Sequence, residues 1–111
     1  MFTPNNITTA EALRLAIQDS MAFDKNVILF GEGISDPSSM FGTTKKLKSK
    51  FSKNRIFEMP LSENLFVGAG VGAAYFGDRV IINLQRTEFL LLALEQLFHN
   101  AAKSHYISNG H

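Results

Sequence analysis

The sequence has no cysteine in its 111 residues. That excludes a disulfide framework, a thiolate metal site and a cysteine nucleophile, and with them redox chemistry by the protein itself. Charge of one sign is also lacking: 11 Lys and Arg face 10 Asp and Glu, a net charge of +1, so neither nucleic acid nor an anionic membrane is expected as a partner. No apolar run approaches the roughly 20 residues needed to cross a bilayer. The opening "MFTPNN" has no basic region followed by an apolar core, so no targeting segment is read there. Internal repeats, low-complexity segments and linkers are missing too. With 45% hydrophobic residues, the chain reads as one soluble α/β domain over residues 1–111.

What is present alternates between helix and strand. "TTAEALRLAIQDSMAFD" has Thr8 and Glu11 at capping-box spacing and Leu13, Ala16, Ile17 and Met21 on one helical face. "NVILFGEG" is an apolar run closed by glycines, too short for a helix and suited to a strand buried on both sides. A Pro- and Ser-rich loop leads to a short basic helix with Lys45, Lys46, Lys48 and Lys50, read as a solvated face. "RIFEMP" is a second strand, stopped by Pro60. Its Glu58 reads as an ordinary strand residue. A helix rich in small residues spans Ser62 to Phe76, and "RVIINL" is a third strand. A single long helix is expected from "TEFLLLALEQLFHNAAKSHYISNG", with a polar stripe of Glu95, Gln96, His99, Asn100 and Lys103 and with Gly110 as terminator.

Such alternation predicts a parallel sheet with helices on both faces, and ligands of these sheets bind outside the carboxyl ends of the strands. Three segments reach that edge: Gly31 and Glu32, Leu61 to Glu63, and Gln85 to Phe89. Glu63 follows Ser62, a good N-cap, and lies in a first turn where the helix dipole favours an anion. The plain reading of Glu63 is a helix-start glutamate. "GAGVGAA" has neither the Lys-Ser/Thr ending nor the position of a phosphate loop, and close helix packing accounts for it better. His99, His105 and His111 share no metal-ligand spacing with carboxylates, and no metal is assigned.

"ILFGEG", "FGTTKKLKSKF", "RIFEMPLSENLFVGAGVGAA" and "FLLLALEQLFHNAAKSHYISNG", in that order, resemble the amino-terminal, pyrimidine-binding (transketolase-like) domain of the beta subunit of thiamin-diphosphate-dependent 2-oxo acid dehydrogenases. The most specific part is Glu63 followed by Gly68 and Gly72, which looks like the glutamate-plus-glycine signature of such domains. The resemblance implies thiamin diphosphate as cofactor, with Glu63 hydrogen-bonded to a ring nitrogen of its aminopyrimidine and so promoting loss of the thiazolium proton. Burial favours the neutral carboxyl group for that task, and the helix dipole opposes it. By the same resemblance Phe89 packs on the pyrimidine face, Gln85 lines the pocket, and Glu32 plays a secondary polar part. Gly68, Gly70 and Gly72 would form a subunit-packing surface.

The family's diphosphate motif, Gly-Asp-Gly with a later Asn, is absent. Magnesium is therefore expected to come with an alpha subunit that carries the diphosphate site, and a lipoyl-bearing acyltransferase would accept the acyl group in a larger oligomer. The family's beta subunits continue well past the equivalent of Gly110, so the chain reads as a truncated pyrimidine-binding domain that is inactive when isolated. Its loop "ISDPSSMFG" departs from the glycine- and tyrosine-rich form of pyruvate-type enzymes, which leaves the 2-oxo acid open. The expected compartment is the cytoplasm, or the mitochondrial matrix in a eukaryote. A transketolase-like enzyme domain and a non-catalytic interaction module remain as alternatives.

Overall fold

The structure, a computed structural model, describes residues 6–110; most of the opening segment read for a targeting signal, and His111, lie outside the described residues. Helix α1, Thr9–Phe23, starts where expected, because extended Thr8 accepts the Glu11 backbone N–H at its Oγ1, 3.2 Å away. The reciprocal half of the capping box is not formed. The Glu11 carboxylate instead accepts from Arg14, at 2.9 Å from Nε and 2.6 Å from a terminal nitrogen. One turn of helix brings those two side chains together.

Strands β1 (Val27–Gly31), β2 (Ile56–Glu58) and β3 (Arg79–Asn83) form a parallel sheet in the order β2-β1-β3. The register pairs Leu29 with Ile56 and Ile81, and Gly31 with Glu58 and Asn83, so the last three share one row at the carboxyl edge. All five β1 residues are buried, as the unbroken apolar run required. The pleat divides them. Val27 and Leu29 join Met21, Ile34, Leu47 and Ile56 on one face, where Ile17, Phe51 and Ile81 pack against them. Leu13 and Ala16 of α1 are exposed, so the helix buries a narrower stripe than its pattern suggests.

The other face receives α3 (Glu63–Tyr75), whose Phe66 and Val67 cluster with Ala93 from the segment after β3, against Met59, Ile82, Leu84 and Leu97. Helices thus cover both faces. The approach of α3 is close: a Cβ on Gly70 would lie 2.8 Å from Ile82 Cδ1 and 3.3 Å from Val80 Cγ1. Gly68 lies likewise against Gln96, and only Gly72 faces open space. Two of the three glycines expected at a subunit interface therefore serve packing within the chain.

Other expectations change. The basic segment is helical only over α2, Leu47–Lys50, after Lys46 turns through φ +63°. Beyond β3 the long helix gives way to a 3-10 helix at Thr87–Ala93, a π-helix at Gln96–Ala101 and a short α4, Ala102–Ile107. Contacts with α3 accompany the change of winding. Gln96 donates to Asn64 Oδ1 at 3.1 Å and accepts from Asn100 at 2.6 Å, while the Tyr75 hydroxyl donates to the Asn100 carbonyl. At the end of α4, Asn109 takes the left-handed position at φ 57°, and the Gly110 N–H returns to the His105 carbonyl at 2.8 Å. The stop is a Schellman motif in which asparagine, not Gly110, fills the left-handed C′ place.

Candidate functional site

The carboxyl edge of the sheet is assembled by three strand exits. After β1, Gly33 bends through φ +66°, a conformation that suits a residue without a Cβ. The space a Cβ would occupy there is 2.6 Å from Gln85 Nε2, so the loop after β1 lies directly against the residue that follows β3. Gln85 Nε2 in turn donates to the Glu32 carbonyl. Two of the four residues singled out from sequence, Glu32 and Gln85, are therefore held together.

Glu63 enters from the second exit. Pro60 ends the β2 segment and Ser62 takes the N-cap position of α3 in extended geometry, but its hydroxyl makes no capping hydrogen bond; its carbonyl accepts Phe66 N–H at 3.1 Å. Glu63 is only 6% exposed, the one buried ionisable side chain among the described residues. None of the described residues hydrogen-bonds its carboxylate. No fully buried side-chain nitrogen or oxygen among the described residues lacks a hydrogen-bond partner, so the Glu63 carboxylate keeps an opening to the surface: a largely buried acid that a ligand can still reach.

Glu32 senses that charge. Its carboxyl group is pushed above the ordinary carboxylate range, first by burial, then by the charge of Glu63 and last by that of Glu58. Glu32 and Glu63 thus belong to one electrostatic neighbourhood. Phe89, the fourth residue, is half-buried in the 3-10 helix, with the Arg86 guanidinium 6.0 Å from its ring centre. The chain that carries it is tied to the start of α3 by Asn64 Nδ2, which donates to the Leu92 carbonyl at 3.5 Å.

Glu58 corrects the sequence reading. Its two carboxylate oxygens accept the backbone N–H groups of Gly33 at 2.5 Å and Ser35 at 2.7 Å, across 25 and 23 residues of sequence. A strand-end acid followed by Pro60 carried no local sign of this role. Arg55 was missed for the same reason: it donates to the carbonyls of Met21, Asp24 and Val27 at 2.7 to 3.0 Å, and joins the start of β2 to the end of α1.

A cleft of about 690 Å³ lies elsewhere, between the end of α3 and α4, and is lined by Tyr75, His99, Asn100, Ser104 and His105. It is larger than the cavity beside the strand edge. The strand edge instead gathers the buried Glu63, Glu32 with its raised carboxyl group, and the Gln85 amide, and it is taken as the candidate site. A smaller cavity of about 360 Å³ adjoins that edge and is lined by Leu13, Ile17, Phe41, Thr43 and residues 81–85. Among the described residues, no group of three or more His, Asp or Glu could hold a metal ion.

Comparison with known proteins gives the family. A family model described as "Transketolase, pyrimidine binding domain" matches residues 5–109. The chain is 32% identical over 109 residues to the mitochondrial pyruvate dehydrogenase E1 component subunit beta of Dictyostelium discoideum, covering 98% of this chain and 31% of that protein. It is 36% identical to the corresponding subunit of Rickettsia bellii, covering 94% of this chain and 32% of that one. A chloroplastic subunit beta-3 of Oryza sativa is 40% identical over 90% of this chain and 26% of its own. The chain therefore spans about a third or less of the length of these relatives.

Proposed function

The chain belongs to the transketolase pyrimidine-binding domain family, and from that premise we propose that it is the pyrimidine-binding part of a thiamin-diphosphate-dependent 2-oxo acid dehydrogenase of the pyruvate dehydrogenase type. The single observation that carries this reading is Glu63: buried, in the first turn of α3, and without a hydrogen-bond partner among the described residues. A ring nitrogen of an aminopyrimidine is the kind of group such an acid can share a proton with.

The residues at the edge fit that ring. Glu63 would hold the proton at a carboxyl oxygen, and Phe89 would offer an aromatic face. Gln85, fixed by the Glu32 carbonyl, would line the pocket, and Glu32, raised by burial and by Glu63, would stay protonated to higher pH than an ordinary glutamate. Thiamin diphosphate, when bound, supplies the decarboxylation of the 2-oxo acid and the acyl group passed to a lipoyl carrier. Glu63 would prepare it by holding the proton.

The diphosphate and magnesium would be held by an alpha subunit, and a lipoyl-bearing acyltransferase would take the acyl group. The exposed leucines Leu61, Leu65, Leu91 and Leu92 near the start of α3 and along the 3-10 helix support a partner at this edge. Titration calorimetry tests the split site. Weak or no binding of thiamin diphosphate is expected with this chain alone, and magnesium-dependent binding once an alpha subunit is added. Micromolar, magnesium-dependent binding to the isolated chain as a monomer would overturn it.

A further inference from the structure

Glu58 has no place in the chemistry above, yet it makes the two long-range contacts that define the loop after β1. Its Oε1 accepts from Gly33 N–H and its Oε2 from Ser35 N–H, at 2.5 and 2.7 Å. The loop is braced from a second side, where Lys48 Nζ donates to Ser35 Oγ at 2.7 Å. Between the braced amides and the strand lies Glu32, whose carbonyl accepts from Gln85, and Gly33 packs on that same amide. The β-sheet register sets Glu58 beside Gly31, immediately before the loop begins.

We propose that Glu58 is a positioning residue: its carboxylate clamps the backbone of residues 33–35, and through that loop sets where Glu32 and Gln85 stand at the edge of the site. Charge is part of the requirement. Two N–H groups converge on two oxygens, a geometry that a carboxylate satisfies at both ends and a primary amide at only one, because its second terminal atom is a donor. The inference rests on the reading of Glu32 and Gln85 as residues that face the cofactor, but the clamp itself does not.

The test uses Glu58→Gln and Glu58→Asp in the full chain, alone and reconstituted with an alpha subunit. In the chain alone, amide hydrogen exchange at Gly33 and Ser35 should quicken roughly 10-fold or more in Glu58→Gln, the scale of one lost charge-assisted hydrogen bond. Amides of the central strand β1 should keep their protection. Glu58→Asp retains both acceptor oxygens and should lie between parent and Gln variant. In the complex, the thiamin diphosphate concentration for half-saturation should rise several-fold in Glu58→Gln while the rate at saturation stays near that of the parent.

Unchanged exchange at Gly33 and Ser35 would overturn the clamp. Faster exchange with unchanged half-saturation would overturn the positioning role and leave a loop brace alone. Should β1 lose protection in Glu58→Gln, Glu58→Asp is judged by the same two criteria. A silent Glu63→Gln in the same complex would instead defeat the cofactor reading, and the exchange result at residues 33 and 35 would stand.

Discussion

On one face of the sheet, α1 and α2 close over six buried side chains: Met21, Val27, Leu29, Ile34, Leu47 and Ile56. On the other, α3 and the segment after β3 form a cluster of three, Phe66, Val67 and Ala93, with partly exposed neighbours, while Ile28 and Phe30 are buried on the same side of β1. The first face is joined by an arginine that reaches backbone carbonyls, the second by side-chain amides and by glycine backbone lying against β3. Glu63 and the leucines around it belong to the second. The comparison teaches that the larger cluster of buried apolar side chains lies on one face, and that the site is built on the other.

Truncation should expose that difference most strongly. Leu29→Ala, at a residue with 0% exposure in the first cluster, should cost about 2–5 kcal/mol by denaturant titration. Leu91→Ala, on the side of the site and 67% exposed, should change stability by less than about 0.5 kcal/mol. Equal losses at the two positions would break the division between the faces.

A subtler contrast lies within α3. Gly70→Ala would press a methyl group against Ile82 and Val80 and should cost about 1–2 kcal/mol. Gly72→Ala meets nothing within 4 Å and should stabilise the chain by about 0.5–1 kcal/mol through helix propensity. Thermal melts of the two variants against the parent would check it, and stabilisation by both would mean that α3 does not rest closely on β3.

The smallest effect concerns pH. Burial first, then Glu63 and Glu58, raise Glu32, so the folded chain binds its proton more tightly than the unfolded chain does. Stability from this group is then lost as pH rises from the ordinary carboxylate range through the folded-state titration. Glu32→Gln removes that loss. The variant should gain on the parent at pH 7 and show no gain near pH 3, measured by urea unfolding. A gain of the same size at both pH values would count against the shared neighbourhood of Glu32 and Glu63.

Much of the first face was legible because its signals are local. Thr8 and the Glu11 amide lie three residues apart, and five consecutive apolar residues announce a strand covered on both sides. Glu63 could be placed because Pro60 ends one strand and Ser62 opens the next helix, which brings the acid to the carboxyl edge by topology. Glu58 and Arg55 were not legible, since their partners lie more than 20 residues away and are backbone groups that any residue supplies. The winding after β3 was hidden likewise: "FLLLALEQLFHNAA" has ordinary helix formers throughout, and only Gln96, Asn100 and Tyr75 meeting across two helices show where a regular α-helix gives way.

The central claim is that Glu63 shares a proton with a bound aminopyrimidine. Its most direct test is hydrogen-deuterium exchange at the thiazolium carbon of thiamin diphosphate in a complex reconstituted with an alpha subunit. Parent, Glu63→Gln and the exposed control Asp19→Asn are compared under one condition. The account predicts exchange slowed by roughly 10² to 10⁴ in Glu63→Gln, and a parental rate in Asp19→Asn. An unchanged rate in Glu63→Gln, with cofactor shown to be bound, would contradict it.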